Sequence, residues 1–137
     1  MKHHPIKQAI EAADKAITDE DFDALMEFYA DDATLVIKPG MLATGKEQIR
    51  KAFVAIAEYF NHSLVVKQGE MQVIQGGEDT ALVIMETVLE TVDKTGKASC
   101  VTRRATYVFR EASAGKWLCV IDNSYGTDLL VGVQGHQ

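Results

Sequence analysis

Residues 28–40, Phe28-Tyr29-Ala30-Asp31-Asp32-Ala33-Thr34-Leu35-Val36-Ile37-Lys38-Pro39-Gly40, decide the fold. An aromatic pair closes a short helical face and an acidic turn follows. The β-branched run over 33–38 then reads as a strand. Pro39-Gly40 turns the chain, and Met41 to Ala43 form a brief return strand. The strand ends in Val36-Ile37-Lys38 and carries no carboxylate.

Upstream, Pro5 suits the first turn of a helix. Ile6, Ile10, Ala13 and Ile17 recur at three and four residues, which predicts an amphipathic helix. Thr18-Asp19-Glu20-Asp21 ends it. Asp21 is the N-cap of a second, short helix in which Phe22, Leu25, Met26 and Tyr29 share a face. Downstream, Thr44-Gly45-Lys46-Glu47 has the spacing of a capping box. It opens a third helix with Ile49, Phe53, Ile56 and Phe60 at helical spacing.

After Asn61 the period changes from helical to alternating. Strands are expected over 63–75, 80–92, 97–111 and 116–127. The turns between them are Gly76–Asp79, Asp93–Gly96 and Ala112–Gly115. Helices first and a meander afterwards predict an α+β domain spanning 1–137, with helices on one face of a curved antiparallel sheet. Residues from about 128 to 137 read as a flexible tail.

The 137 residues are 47% hydrophobic, enough for one domain with a core. The net charge of -6, without a Lys/Arg cluster, argues against nucleic-acid partners and against anionic membranes. No apolar run is long enough to span a bilayer. Cys100 and Cys119 form no CxxC pair, which fits reduced thiols and a cytoplasmic location. His3, His4, His62 and His136 lack metal-ligand spacing, so neither a metal nor another cofactor is expected. His62 reads as a solvated corner residue, Asp31-Asp32 as a helix-ending turn and Trp117 as packing.

Three segments carry a family resemblance. Asp21-Phe22-Asp23-Ala24-Leu25 through Tyr29-Ala30-Asp31-Asp32-Ala33-Thr34 resembles the opening of ketosteroid isomerase-like proteins of the nuclear transport factor 2-like superfamily. Gly45-Lys46-Glu47-Gln48-Ile49-Arg50 is similar to their third helix. Gly115-Lys116-Trp117-Leu118-Cys119-Val120-Ile121-Asp122-Asn123-Ser124 is similar to their last strand. The SnoaL-like group is the nearest in pattern.

The resemblance implies a cone, with a strongly bent sheet and three helices closing a pocket on its concave side. It also implies dimerisation through the convex side. Ketosteroid-isomerising members use an Asp base, a Tyr and a protonated Asp. Carried onto this chain, those positions fall on Ile37, near Ala13 and near Ala105. None of these side chains transfers a proton or donates a hydrogen bond, so steroid isomerisation by that mechanism is not expected.

Strand alternation suggests other pocket residues. With even-numbered turns at Asp93–Gly96 and Ala112–Gly115, Glu86, Arg103, Tyr107 and Asp122 share one face with Leu82, Ile84, Val88, Ala105, Leu118 and Val120. The alignment of Ala105 with the family's cavity Asp makes that face concave, with Leu35 and Ile37 as apolar wall. An Arg103 fork can serve two carboxylates, and one of these can then hold a proton near neutral pH. Asp122 or Glu86 is the candidate proton carrier, and Arg103 and Tyr107 are candidate ligand contacts. The alternative is a self-satisfied network that only fixes sheet register. An odd-numbered turn would replace Arg103 by Arg104.

The opposite face would carry Val83, Met85, Thr106, Val108, Cys119 and Ile121, apolar enough to support a homodimer. Three functions follow. The first is an acid–base isomerase, cyclase or hydratase acting on a small hydrophobic molecule. The second is a module that binds such a molecule unchanged. The third is an assembly domain.

Overall fold

The computed structural model describes residues 5–130. The His3-His4 pair, His136 and the end of the expected tail lie outside the described residues. Helix α1 spans Pro5–Asp19 and buries Ile6, Ile10 and Ala13 of the expected stripe, with Ala16 buried beside them and Ile17 only half-buried. Helix α2 spans Phe22–Met26, and the Asp21 carboxylate caps it by accepting from the Ala24 amide at 3.2 Å. Helix α3 spans Lys46–Tyr59 and buries Ile49, Phe53 and Ala57.

The strands are β1 (Tyr29–Lys38), β2 (Met41–Thr44), β3 (Val65–Gly76), β4 (Thr80–Val92), β5 (Ala98–Ser113) and β6 (Lys116–Asn123). They form one open, six-stranded sheet in the order β2-β1-β6-β5-β4-β3. All neighbours are antiparallel except β1 and β6, so the sheet is mixed where a wholly antiparallel one was expected. This parallel pair also moves Tyr29 from the helix to the strand. Tyr29 lies opposite Cys119, and the Cys119 amide donates to the Phe28 carbonyl at 2.9 Å.

The expected capping box does not form. Sheet pairing runs on through Thr44, and the Gly45 amide donates to the Ala33 carbonyl at 2.8 Å. Gly45 becomes the N-cap at φ 86°, a conformation natural to glycine. The Thr44 amide donates instead to Gln48 Oε1 at 2.9 Å.

Two local features set which side chains face the core. The β4–β5 connection is odd-numbered, because Val92 pairs with Ala98. Asp93 Oδ1 holds that loop by accepting from the Thr95 amide at 2.8 Å, the Thr95 hydroxyl at 2.6 Å and the Lys97 amide at 3.0 Å. In β6, Val120 is an extra residue, since Phe109 pairs with Cys119 and Val108 with Ile121.

The inner face therefore carries Ala81, Val83, Met85 and Thr87 of β4, Ala105, Tyr107 and Phe109 of β5, and Trp117, Cys119 and Asp122 of β6. This corrects the expected faces. Val83, Met85 and Cys119 point into the core, and Leu82, Ile84 and Glu86 point away from it. Helix α1 packs over β3 and β6, and α3 over β1 and β2. A 3-10 turn over Gly126–Leu130 follows β6 and packs on β5. Residues 128–130 are thus part of the fold, where a tail was expected.

Candidate functional site

Between the helices and the inner sheet face lies a cavity of about 190 Å³. Its apolar wall includes Ile17, Leu35, Ile37, Phe53, Ile56 and Leu89. Leu35 and Ile37, the expected apolar wall residues, both line it. The polar lining is Asp14 from α1, Thr87 from β4, Arg103 and Tyr107 from β5, and Asp122, Ser124 and Tyr125 at the end of β6.

Asp122 is 4% exposed and lies directly opposite Tyr107. The Tyr29 hydroxyl donates to Asp122 Oδ2 at 2.6 Å, and the Ser124 hydroxyl to Oδ1 at 3.0 Å. Burial raises the Asp122 pKa, and the two donors oppose that rise. Burial also lifts the Tyr29 and Tyr107 phenols well above their usual pKa, with Asp122 adding to both. Both tyrosines are therefore protonated donors across the physiological range. Edge-on packing of Phe28 against Tyr29 and Phe109, with ring centroids 5.0 and 5.5 Å apart, supports this end of the site.

Asp14 faces the same cavity from α1. Its pKa is raised to about 6, first by burial and then by the charges of Asp122 and Glu11, against a Gln68 hydrogen bond. Its Oδ2 is buried without a hydrogen-bond partner among the described residues, as is the hydroxyl of Thr87, itself 4% exposed. Arg103 donates to Asp128 at 3.0 Å and lies over the Tyr125 ring, 4.4 Å from its centroid.

The structure brings Arg103, Tyr107 and Asp122 to one cavity and leaves Glu86 out. Glu86 lies opposite Arg104 on the other face, where a Cβ on Gly69 would meet the Glu86 Cβ at 2.9 Å. The expected Glu86–Arg103–Asp122 network does not form, and Asp128 takes the guanidinium. His62 pairs through Nδ1 with Glu20 at 3.0 Å, at the corner joining α1 and α3.

Asp14 and Thr87 were not foreseen. Asp14 falls between Ile10 and Ile17 on the buried stripe of α1, and an acid inside an apolar stripe is the signal that marks it. Thr87 depends on the β4–β5 register. Among the described residues, no group of three or more His, Cys, Asp or Glu is arranged to hold a metal ion.

The family model of the SnoaL-like domain matches residues 6–120. The match stops short of Asp122, Ser124 and Tyr125. No curated protein matches the chain. Among solved structures, Aln2 from a Streptomyces species is similar at TM-score 0.80 and 17% identity, covering 94% of this chain and 93% of that one. A ketosteroid isomerase-like protein from Erwinia carotovora atroseptica is similar at TM-score 0.69 and 24% identity, covering 85% and 89%. RV0760c from Mycobacterium tuberculosis, solved in complex with estradiol-17beta-hemisuccinate, is similar at TM-score 0.63 and 21% identity, covering 90% and 94%. At these identities the likeness establishes the fold. With most of its length matched by the family model, the chain belongs to the SnoaL-like domain family, within the nuclear transport factor 2-like fold.

Proposed function

We propose that this chain is a small-molecule enzyme of the acid–base type, an isomerase, cyclase or hydratase acting on a compact hydrophobic substrate. The observation that carries this reading is a buried carboxyl, Asp122, set beside the protonated phenol of Tyr107 in a largely apolar cavity. A carboxyl whose pKa burial has raised is a stronger base than an exposed one, and a phenol hydrogen-bonds an oxygen on which charge develops. Asp122 is the proton carrier in this reading and Tyr107 the electrostatic stabiliser. Arg103, paired with Asp128 and lying over the Tyr125 ring, lines the same cavity.

The test combines binding and turnover. Wild type incubated with hydrophobic candidate substrates should convert at least one, and Asp122→Asn should bind it with turnover reduced about 100-fold or more. Equal turnover by the variant rejects Asp122 as proton carrier. A binding module is the second reading, favoured by the saturation of both Asp122 oxygens by Tyr29 and Ser124. A ligand bound and recovered unchanged from wild type would select it.

Self-association through the outer sheet face belongs to the same proposal. Ile74, Leu82, Ile84 and Ile121 are 46%, 37%, 37% and 44% exposed there. They form a patch that a second copy of this sheet would cover. Sedimentation should give a dimer that Leu82→Glu shifts to monomer, and an unshifted dimer excludes this face.

A further inference from the structure

We infer that the cavity takes its ligand as a cation, a small ammonium-bearing molecule with an apolar body, anchored on Asp14 and Thr87. This rests on the pocket reading above and adds the charge of the ligand to it.

Among the described residues, Asp14 Oδ2 and Thr87 Oγ1, a hydroxyl that can accept as well as donate, are buried without partners, and both residues line the cavity, from α1 and from β4. An unpaired buried acceptor is costly, and a site that keeps two is complementary to a ligand with more than one donor. An ammonium group carries three donors and no acceptor.

Charge separates this ligand from an acid. Among the described residues, the one guanidinium on the cavity, Arg103, is already paired with Asp128. Asp122 lies near Asp14 on the β6 side, Tyr107 and Arg103 face it from β5, Gln68 from β3, and Glu11 shares its helix. With the Arg103–Asp128 pair neutral, an ionised Asp14 leaves the cavity negative whichever form Asp122 takes. A ligand carboxylate would meet that charge without a free cation to receive it. An ammonium would neutralise it, with the Phe53, Tyr107 and Tyr125 rings lining the same cavity.

The experiment uses calorimetric titration of the full chain with three probes of one shape: 2-phenylethylamine, 2-phenylethanol and phenylacetate. At about pH 7.5 the amine should bind about tenfold or more tighter than the alcohol, and phenylacetate weakest. Asp14→Asn should abolish the preference for the amine and keep the alcohol's affinity. In wild type the amine should weaken about tenfold between about pH 7.5 and about pH 5, because Asp14 gains its proton on that interval while the amine stays charged. Phenylacetate binding most tightly overturns the inference and leaves the pocket reading standing. So does an amine preference that survives Asp14→Asn, or one that does not depend on pH. Failure of wild type to bind any of the three overturns both.

Discussion

Thr87 lies directly across the β4–β5 pair from Arg103, and Glu86 lies across from Arg104. One residue in the connecting loop separates this arrangement from its reverse. Alternation along a strand makes any one-residue slip exchange the two faces. The loop over 93–97 thus decides that a hydroxyl, and not a carboxylate, faces the cavity beside Arg103.

The Asp93 side chain holds that loop, and its pKa is lowered, first by the Thr95 side chain and then by the Lys97 amide. A depressed folded-state pKa contributes stability above the ordinary carboxylate range that is lost as pH falls through the folded value. Asp93→Ala should therefore melt below wild type at neutral pH, with the gap closing under strong acid. Thermal melts at both pH values check this, and a gap of constant size would contradict it.

Most of the frame was legible because it rests on local signals. The apolar stripe of α1, the Asp21 cap and the span of β4 are all set by residues near in sequence. Tyr107 and Asp122 also share the expected face, although the bulge at Val120 brings them directly opposite each other. What was not legible depends on the loop count at 93–97, which sets the β4 face, and on sheet pairing that draws Tyr29 and Thr44 into strands. Asp14 differs in kind. Its position in an apolar stripe was visible, but its cost comes first from burial under the folded sheet and then from the charge of Asp122, both of which need the tertiary structure.

Asp14 is held at an energetic disadvantage when ionised. Its folded pKa of about 6 lies above the ordinary 3.8, so the folded state binds the proton more tightly than the unfolded chain does. The penalty is fully present above about pH 6 and disappears as pH falls below the ordinary value. Asp14→Asn should stabilise the protein by about 1–3 kcal/mol at neutral pH. The gain should shrink toward zero in acid. Denaturant titrations at neutral and acid pH measure it, and destabilisation at neutral pH would contradict the assignment.

Tyr29 works in the opposite direction on Asp122, since its hydroxyl lowers a pKa that burial raises. Tyr29→Phe should push the Asp122 titration further up and cost about 1–3 kcal/mol, as expected for loss of a buried bond to a carboxyl. Carboxyl carbon shifts followed by NMR against pH give the first quantity, and chemical denaturation gives the second. An unmoved Asp122 midpoint would mean that the bond does not hold in solution.

Gly126 and Gly115 both have positive φ, 58° and 76°, but only Gly126 is crowded. A Cβ on Gly126 would lie 1.6 Å from the Arg104 carbonyl oxygen, whereas one on Gly115 meets nothing within 4 Å. Gly115→Ala should cost about 1 kcal/mol through its backbone alone. Gly126→Ala should cost more and detach the turn that carries Asp128 from Arg103. Hydrogen exchange should then rise over 124–130 in Gly126→Ala only. Equal exchange in the two variants would argue against this docking.

The proposed function requires that ligand enter the cavity on the inner sheet face. The most direct measurement is a titration of methyl-labelled isoleucine with 2-phenylethylamine, followed by NMR. Ile17, Ile37 and Ile56 line the cavity, while Ile74 and Ile84 lie on the outer face. Saturable shifts of the first three with the last two unmoved are the predicted result. Shifts confined to Ile74 and Ile84, or none at all, would contradict it.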